Sequence, residues 1–478
     1  MTEIRSEQMQ KLVRECGQEH ILRYWEKLSE SSRRQLLHQA ALVDFDLMGR
    51  LYREYILKKS TVAATALEPA EMVTLAHQRA HPEEVQRMKA RGAETLRAGK
   101  VAAVLVAGGQ ATRLGFARPK GAYPVGPVSQ KSLFQLHAEK LLATAQRYRT
   151  AIPWYIMTSD ANAGETRAFF EENKLFGYAP PDLFFFEQEM IPALDENGKL
   201  ILDAPDHIFV NPNGHGGTLT ALEKSGALAD MKRRGIEEIF YFQVDNVLLH
   251  MCDPLFLGYH VAANAEMSAK VCAKRDPHEK VGVLGMVFDS TTGPKGRLQV
   301  IEYSDMSKAD KEARLADGTL KYNAGSIAIH LLKRSFIERE VAGGTKLPWH
   351  VAHKQIPFLD AAGQLVSPER PNGYKFETFI FDALGDAARV VVLEVDRRFE
   401  FSPIKNANGE DSPATAQRDL GELYAGWLEQ AGVKVSRDAS GNLKTRIEVS
   451  PLFALDAEEL VRKISPDLRL QEDIYFEP

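Results

Sequence analysis

The sequence predicts an α/β protein built on a mixed, mostly parallel sheet, with a helical N-terminal region and a small C-terminal α+β domain. Three observations carry this. Short apolar runs alternate with helical patterns from Val101 onward, which is the texture of strands joined by helices. Before Val101 the pattern is helical only, and after about Phe401 helix and strand signals mix. A length of 478 residues allows about two to four domains. The boundaries drawn are 1–98 for the helical region, 99–398 for the central domain and 399–478 for the C-terminal domain.

In the first region Met9, Leu12, Val13, Cys16, Leu22, Trp25 and Leu28 recur mostly at three- and four-residue steps, which puts them near one helical face. A second helical stretch is expected around Arg34–Ile56 and a polar one over residues 78–98. VAAVLVA (101–107) is an apolar run ended by Gly108-Gly109, as expected of a buried strand. Helices are expected over Lys131–Arg147 and Gly164–Asn173. IPWYIMT (152–158), LFFFE (183–187), IFYFQV (239–244), SAKVCA (268–273), VGVLGMV (281–287) and VVVLEV (390–395) are further strands. The tail offers a helix, Thr415–Gln430, two strand-like runs, VKVSRD and TRIEVS, and a turn at Val449–Leu455 into a last short element.

Composition removes several functions. The chain is 44% hydrophobic, which excludes wholesale disorder. A net charge of −5 argues against a nucleic-acid partner, which would draw a basic excess. No apolar run approaches the ~18 residues of a membrane span. The opening MTEIRSEQMQ lacks the apolar core of a secretory signal. The scattered Cys16, Cys252 and Cys272 suit a reducing compartment, with Cys252 and Cys272 as small buried side chains. A cytoplasmic protein is expected.

The segment with most chemistry is VLVAGGQATRLGFARPKGAYPVG, residues 104–126. Glycines behind a buried strand let backbone N–H groups approach an anion. Arg113 can donate a two-pronged pair to phosphate, and Lys120 supplies a mobile charge behind the stiff Pro119. The nucleoside-triphosphatase loop and the dinucleotide fingerprint both fail here. Asp245 follows the apolar run IFYFQV, at the strand end where ligands of α/β sheets bind. It is the candidate ligand for Mg²⁺, which takes few carboxylates and shares phosphate oxygens. His350 and His353, spaced as on one helical face, show no third metal ligand and read as structural.

The glycine segment resembles the nucleotide-binding loop of the eukaryotic-type UTP-dependent sugar-1-phosphate uridylyltransferases, most of all the UDP-N-acetylhexosamine pyrophosphorylases. The resemblance runs on through IPWYIMTSD, FFFEQEMIPAL, NPNGHGG, VDN, VIEYSD, YNAGSIAIH, PNGYKFETFIFD and FEFSPIKNANG. It implies a Rossmann-like nucleotidyltransferase (GT-A-like) central domain. It also implies Mg²⁺-dependent transfer of uridylyl from UTP to a sugar 1-phosphate, with UDP-sugar and pyrophosphate as products.

Position by position, the resemblance puts Val106, Ala107, Gly108 and Gly109 beside uridine and phosphates, with Arg113, Lys120 and Lys375 on phosphate and Lys405 on the sugar phosphate. Gln188 is implied as the uracil partner, Gly214 and Asp245 as nucleotide contacts, and His215, Glu302, Tyr303 and Asn323 as sugar contacts. Two departures bear on this. Ala111 stands where the family has Gly, which raises strain if that residue needs positive φ. Gly214-His215-Gly216 follows the UDP-glucose and broad UDP-sugar pattern, and Ser326 departs from the Asn of the N-acetylhexosamine one. On that basis His215→Asn is expected to move preference towards the acetylated sugar by about fivefold. The alternatives are therefore a UDP-glucose, UDP-galactose or broad UDP-sugar enzyme and, in another class, a non-catalytic UDP-sugar-binding protein.

Overall fold

The computed structural model describes residues 3–58, 66–288 and 295–478. It divides into two compact units, each discontinuous in sequence. The first is Met1–Ala63, Gln188–Gly217 and Lys346–Asp382; the second is Ala64–Glu187, Thr218–Thr345 and Ala383–Pro478. These do not follow the boundaries at 98/99 and 398/399, and packing explains why. Val13, Ile21, Leu36 and Met48 from the N-terminal helices share one core with Ile191, Leu194, Leu202 and Phe376. The helix Pro82–Arg97, expected to belong with them, instead lies on the helix Pro254–Ala262. That contact depends on two glycines: a Cβ at Gly92 would stand 1.9 Å from the Pro254 carbonyl oxygen, and one at Gly258 1.8 Å from that of Met88. The C-terminal helix Pro413–Gln430 likewise joins the sheet core through Ala416, Leu420, Tyr424 and Leu428.

In the first unit the expected helical face between Met9 and Leu28 is broken. The helix ends at Glu15, Gly17 takes φ +68°, and two 3₁₀ turns, Glu19–Leu22 and Trp25–Lys27, carry the remaining apolar residues. Helices Glu30–Leu42 and Phe45–Leu51 follow, capped by the side chains of Ser29 and Asp44. Residues 59–65 of the expected helical region lie outside the described residues. The rest of this unit is short strands, including Met190–Pro192 paired with Val210–Pro212 and Gly373–Glu377 paired with His350–Lys354.

The second unit is organised by a ten-stranded sheet. Its strands are β1 (Ala66–Pro69), β2 (Val101–Val106), β3 (Trp154–Thr158), β4 (Leu183–Glu187), β5 (Glu238–Gln243), β6 (Met267–Ala273), β7 (Val283–Phe288), β8 (Arg297–Ile301), β9 (Ala324–Lys333) and β10 (Val390–Val395). The order β1-β7-β9-β5-β2-β3-β4 forms the main path; β6 pairs with β9 and β10, and β8 with β7. The sheet is mixed. Pairs β5/β2, β2/β3, β3/β4 and β6/β10 are parallel, and the pairs made by β9 and β7 are antiparallel. The parallel run puts the C-terminal ends of β2 and β5 side by side. Because β9 runs against β5, its N-terminal end reaches the same edge.

Every apolar run expected as a strand of this sheet is one, whereas β1 and β8 were not expected, and neither was β9. Its sequence AGSIAIHLLK alternates poorly, because both faces of the strand are largely buried. VKVSRD forms no strand; Lys434 and Arg437 make only isolated bridges, and TRIEVS narrows to Ile447–Val449, paired with Ile474–Phe476.

Of the fully buried histidines in this sheet unit, two bear on stability against pH. His137 donates from Nε2 to the Val244 carbonyl, 3.0 Å away, and burial pushes its pKa down to about 3. Burial pushes His330 down to about 4. Both are neutral when folded and titrate near 6.5 when unfolded, so they leave stability untouched above pH 6.5 and remove it as pH falls below. By linkage each withdraws about 2 kcal/mol at pH 5. The urea midpoint of the wild type is expected to drop between pH 7.5 and 5, and His330→Leu to lose the His330 share, about 2 kcal/mol, of this drop. An unchanged drop in the variant refutes the assignment.

Candidate functional site

In the second unit the loop after β2 is folded back on itself. Gln110 bridges Pro119, and the Lys120 N–H donates to the Gly109 carbonyl at 3.3 Å. This brings Lys120 beside the glycines although eleven positions separate it from Gly109. Asn162 and Ser159, on the loop after β3, hold the carbonyl side. Asn162 Nδ2 donates to the carbonyl of Ala107 at 2.9 Å, and Ser159 Oγ to that of Gly108 at 2.9 Å. A Cβ at Gly109 would meet nothing within 4 Å, so no packing within the protein demands glycine there. Ala111 has φ −93° and is buried, so the strain feared for it does not arise. Positive φ falls instead on Gly115, at +67°. Arg113 is exposed on the 3₁₀ turn Thr112–Leu114.

Asp245 lies two residues beyond β5. Its Oδ2 is 3.1 Å from Lys120 Nζ, and both side chains are mostly buried. Burial alone would raise the Asp245 carboxyl, but the Lys120 and Lys405 ammonium groups hold it below the ordinary carboxylate value. It therefore stays ionised across neutral and mildly acid pH. Lys405 reaches it through the next residue of the motif: Asn246 donates from Nδ2 to the Glu400 carbonyl, at 2.7 Å, and its Oδ1 accepts the Ser402 N–H. The Ile404 N–H then donates to the Asp245 carbonyl at 3.0 Å. The VDN and FEFSPIK segments are thus one bonded structure. Lys120 is seated by Gly121, where a Cβ would strike the Phe134 ring at 2.2 Å.

Glu302, Tyr303 and Asn323 come from strands meeting at the same edge, since Val283 of β7 is in register with both Ile301 and Gly325. Tyr303 is exposed, Glu302 and Asn323 half-buried. Asn323 Oδ1 accepts the N–H of Lys274 at 2.8 Å. Lys274, with Asn162, Ser159 and Asn246, went unread in the sequence. Its buried cation one residue past β6 was the available signal, and burial lowers its pKa.

In the first unit Gln188 is buried, and its Nε2 donates to the Gly214 carbonyl at 2.6 Å. Gly214 has φ +82°, and a Cβ there would lie 2.3 Å from the Thr378 carbonyl oxygen. Gly214 and Gly216 of NPNGHGG are thus required by the close passage of the Thr378–Phe379 backbone, and Gly217 by the Asn213 side chain. His215 stacks on Phe379, with centroids 5.2 Å apart, and its Nδ1 accepts the Ile380 N–H at 3.2 Å. Lys375 is half-buried with Nζ 4.9 Å from the Phe209 ring centroid; burial lowers its pKa, against Glu377. His350 and His353 lie on a strand, not a helix, so they point to opposite faces. His350 Nε2 is 2.8 Å from Asp382, and His353 stacks on Tyr374. Cys252 and Cys272 are buried, and Cys16 is not.

Among the described residues, the one grouping of His, Cys, Asp or Glu side chains close enough for a cation is His250, Asp253 and Glu400. Lys270 already fills it, with Nζ 2.8 Å from Asp253 and 2.7 Å from Glu400. Asp245 offers a single ionised carboxylate, which fits a divalent ion that completes its shell with phosphates and water. No helix of the described residues is long and apolar enough to cross a membrane.

The model of the UTP–glucose-1-phosphate uridylyltransferase family matches residues 45–415. The human UDP-N-acetylhexosamine pyrophosphorylase-like protein 1 is 37% identical, over 98% of this chain and 97% of its own. The probable UDP-N-acetylglucosamine pyrophosphorylase of Dictyostelium discoideum is also 37% identical, over 93% of each. Among solved structures, the UDP-N-acetylglucosamine pyrophosphorylase of Trypanosoma brucei, in complex with an inhibitor, aligns with a TM-score of 0.81 at 29% identity, covering 97% of this chain and 95% of that one. The chain belongs to the UTP-dependent sugar-1-phosphate uridylyltransferase family.

Proposed function

We propose that the chain transfers uridylyl from UTP to N-acetylglucosamine 1-phosphate, giving UDP-N-acetylglucosamine and pyrophosphate, in the cytoplasm. The observation that carries this is the cluster of Lys120, Asp245 and Lys405 beside the open backbone of Gly109. The named relatives at 37% identity support the acetylated sugar. A sugar-phosphate oxygen attacks the α-phosphorus of UTP; the new P–O bond forms as the bond to the bridging oxygen breaks, and pyrophosphate carries the electron pair away. The attacking oxygen is already anionic, so no protein base is required. The protein's share is alignment and neutralisation of charge. In this reading the backbone of Val106–Gly109 cradles phosphate, Arg113, Lys120 and Lys375 neutralise the triphosphate, and Lys405 holds the sugar phosphate. Gln188 and Gly214 take the uracil side; Glu302, Tyr303 and Asn323 take the sugar.

The family works with a divalent metal, and we assign Mg²⁺, held by Asp245. Bound there, it would supply charge neutralisation on the phosphates. Pyrophosphate release from UTP over a panel of sugar 1-phosphates tests the whole reading. Turnover is expected with N-acetylglucosamine 1-phosphate, abolished by EDTA and restored by Mg²⁺. Turnover that survives EDTA, or equal use of ATP, refutes it. A protein that binds UDP-sugar without turnover is the non-catalytic alternative.

His215 has a packing job of its own, on Phe379 and Ile380. An Asn amide oxygen can also accept from Ile380 but cannot stack. His215→Asn is therefore expected to slow glucose 1-phosphate and N-acetylglucosamine 1-phosphate alike, the ratio of kcat/KM moving less than about twofold. A shift of about fivefold restores the sugar-contact role.

A further inference from the structure

The second unit contains a cavity of about 360 Å³ that holds none of the residues assigned above, a volume typical of small-molecule sites. Its lining includes the face of the helix Pro413–Gln430 that carries Leu423, Tyr424, Gly426, Trp427 and Gln430, and also Leu248–Met251 with Phe399 and Glu400.

Three features mark it as built for a ligand. Gly426 stands in the interior of an 18-residue helix, where glycine costs about 1 kcal/mol relative to alanine. A Cβ there would meet nothing within 4 Å, so no packing explains it, and it leaves helix backbone open to the cavity. Trp427, Tyr424 and Phe399 supply flat aromatic surfaces around it. The charges on the wall are already matched within the protein. Lys140 donates to the Val247 and Leu249 carbonyls, Glu400 pairs with Lys270, Asp456 pairs with Arg147, and His250 faces Asp253 at 3.8 Å. Burial pushes Lys140 down to about 8, which lowers the cost of its place beside an apolar cavity. An incoming charge would find no partner, so the matching ligand is neutral, planar and aromatic.

The walls are also the supports of the catalytic cluster. Leu248 and Leu249 of the wall lie two and three residues beyond Asn246, and Glu400 is bonded to Asn246 through its carbonyl. Phe399 and Glu400 lead into Ser402 and Ile404, which are bonded to Asn246 and Asp245. We propose that this cavity is an effector site for a neutral, fused-ring aromatic molecule, and that its occupancy alters the placement of Asp245 and Lys405. The coupling rests on the proposed transferase activity; the binding does not.

The probe is 2-naphthamide, followed by saturation-transfer NMR and by pyrophosphate release. It is expected to bind the wild-type protein, and binding should weaken at least about tenfold in Gly426→Leu, whose side chain fills the cavity. Saturating probe should change kcat by at least about twofold without competing with UTP or sugar phosphate. The kinetic pattern on wild-type protein decides even if the variant fails to fold. No binding, binding unchanged in a folded Gly426→Leu, or competition with either substrate overturns the site. Binding lost in the variant with no change in kcat overturns the coupling. Loss of turnover without probe counts against the transferase reading alone, since the NMR arm still reports the site.

Discussion

Asp245→Asn and Lys120→Ala each lower kcat/KM by about 10²–10³, or about 2.7–4 kcal/mol, on the scale of removing one group that stabilises charge in a transition state. The free protein already shows why these two belong together. Lys120 Nζ lies 3.1 Å from Asp245 Oδ2, so each neutralises the other until phosphate and a cation offer both a stronger partner. Asp245→Asn keeps the shape and removes the charge. Lys120→Ala leaves the carboxylate facing Lys405, which limits the damage to the fold. Thermal unfolding is therefore expected to change little while turnover collapses. The Asp245 pKa is depressed, so this pair's contribution to stability is present above the ordinary carboxylate range. It fades only as pH falls through the folded value. Steady-state pyrophosphate release on folded variants checks the prediction, and near-wild-type kcat/KM in either removes that residue from the mechanism.

The sheet was legible because its strands are short apolar runs ended by glycine or polar residues, as at Val101–Val106 and Glu238–Gln243. The edge that carries the candidate site was legible for the same reason, since loops after parallel strands gather at one end. Strand β9 was hidden by burial on both faces, which erases alternation. The division into units was hidden by distance in sequence: Phe376 joins a core begun at Val13, and no local pattern announces that. In the candidate site, charged residues stood out by type and position. Their braces did not, because Asn162 and Asn246 are ordinary loop residues until their amides are seen bridging backbone groups. The glycines of NPNGHGG were the converse case. They resembled a ligand loop, yet Gly214 is required by the Thr378 backbone, while Gly109 has no such neighbour.

The largest effect on stability is expected at Lys270, which the sequence showed only as a lysine inside an apolar strand. Its side chain is fully buried, with Nζ 2.8 Å from Asp253 Oδ2 and 2.7 Å from Glu400 Oε1. Burial disfavours its charge, but the two carboxylates more than offset this and raise its pKa. The same ammonium keeps Asp253 ionised despite its own burial. Lys270→Met fits the space but leaves two carboxyl groups without their cation, at a cost of about 3–5 kcal/mol. The loss has a pH signature. Without the ammonium, burial and mutual repulsion raise the folded pKa of the acid pair above its unfolded value. The variant's deficit should then be full near pH 8 and shrink as pH falls through that raised value. Adding Asp253→Asn to Lys270→Met removes one of the stranded charges and should recover part of the loss, a coupling that single substitutions cannot show. Glu400 also carries the carbonyl that accepts from Asn246, next to Asp245, so Lys270→Met should lower kcat as well. Urea midpoints at pH 8 and 5.5 for the wild type, the single and the double variant decide the matter. Equal deficits at both pH values would mean that Lys270 contributes by packing alone.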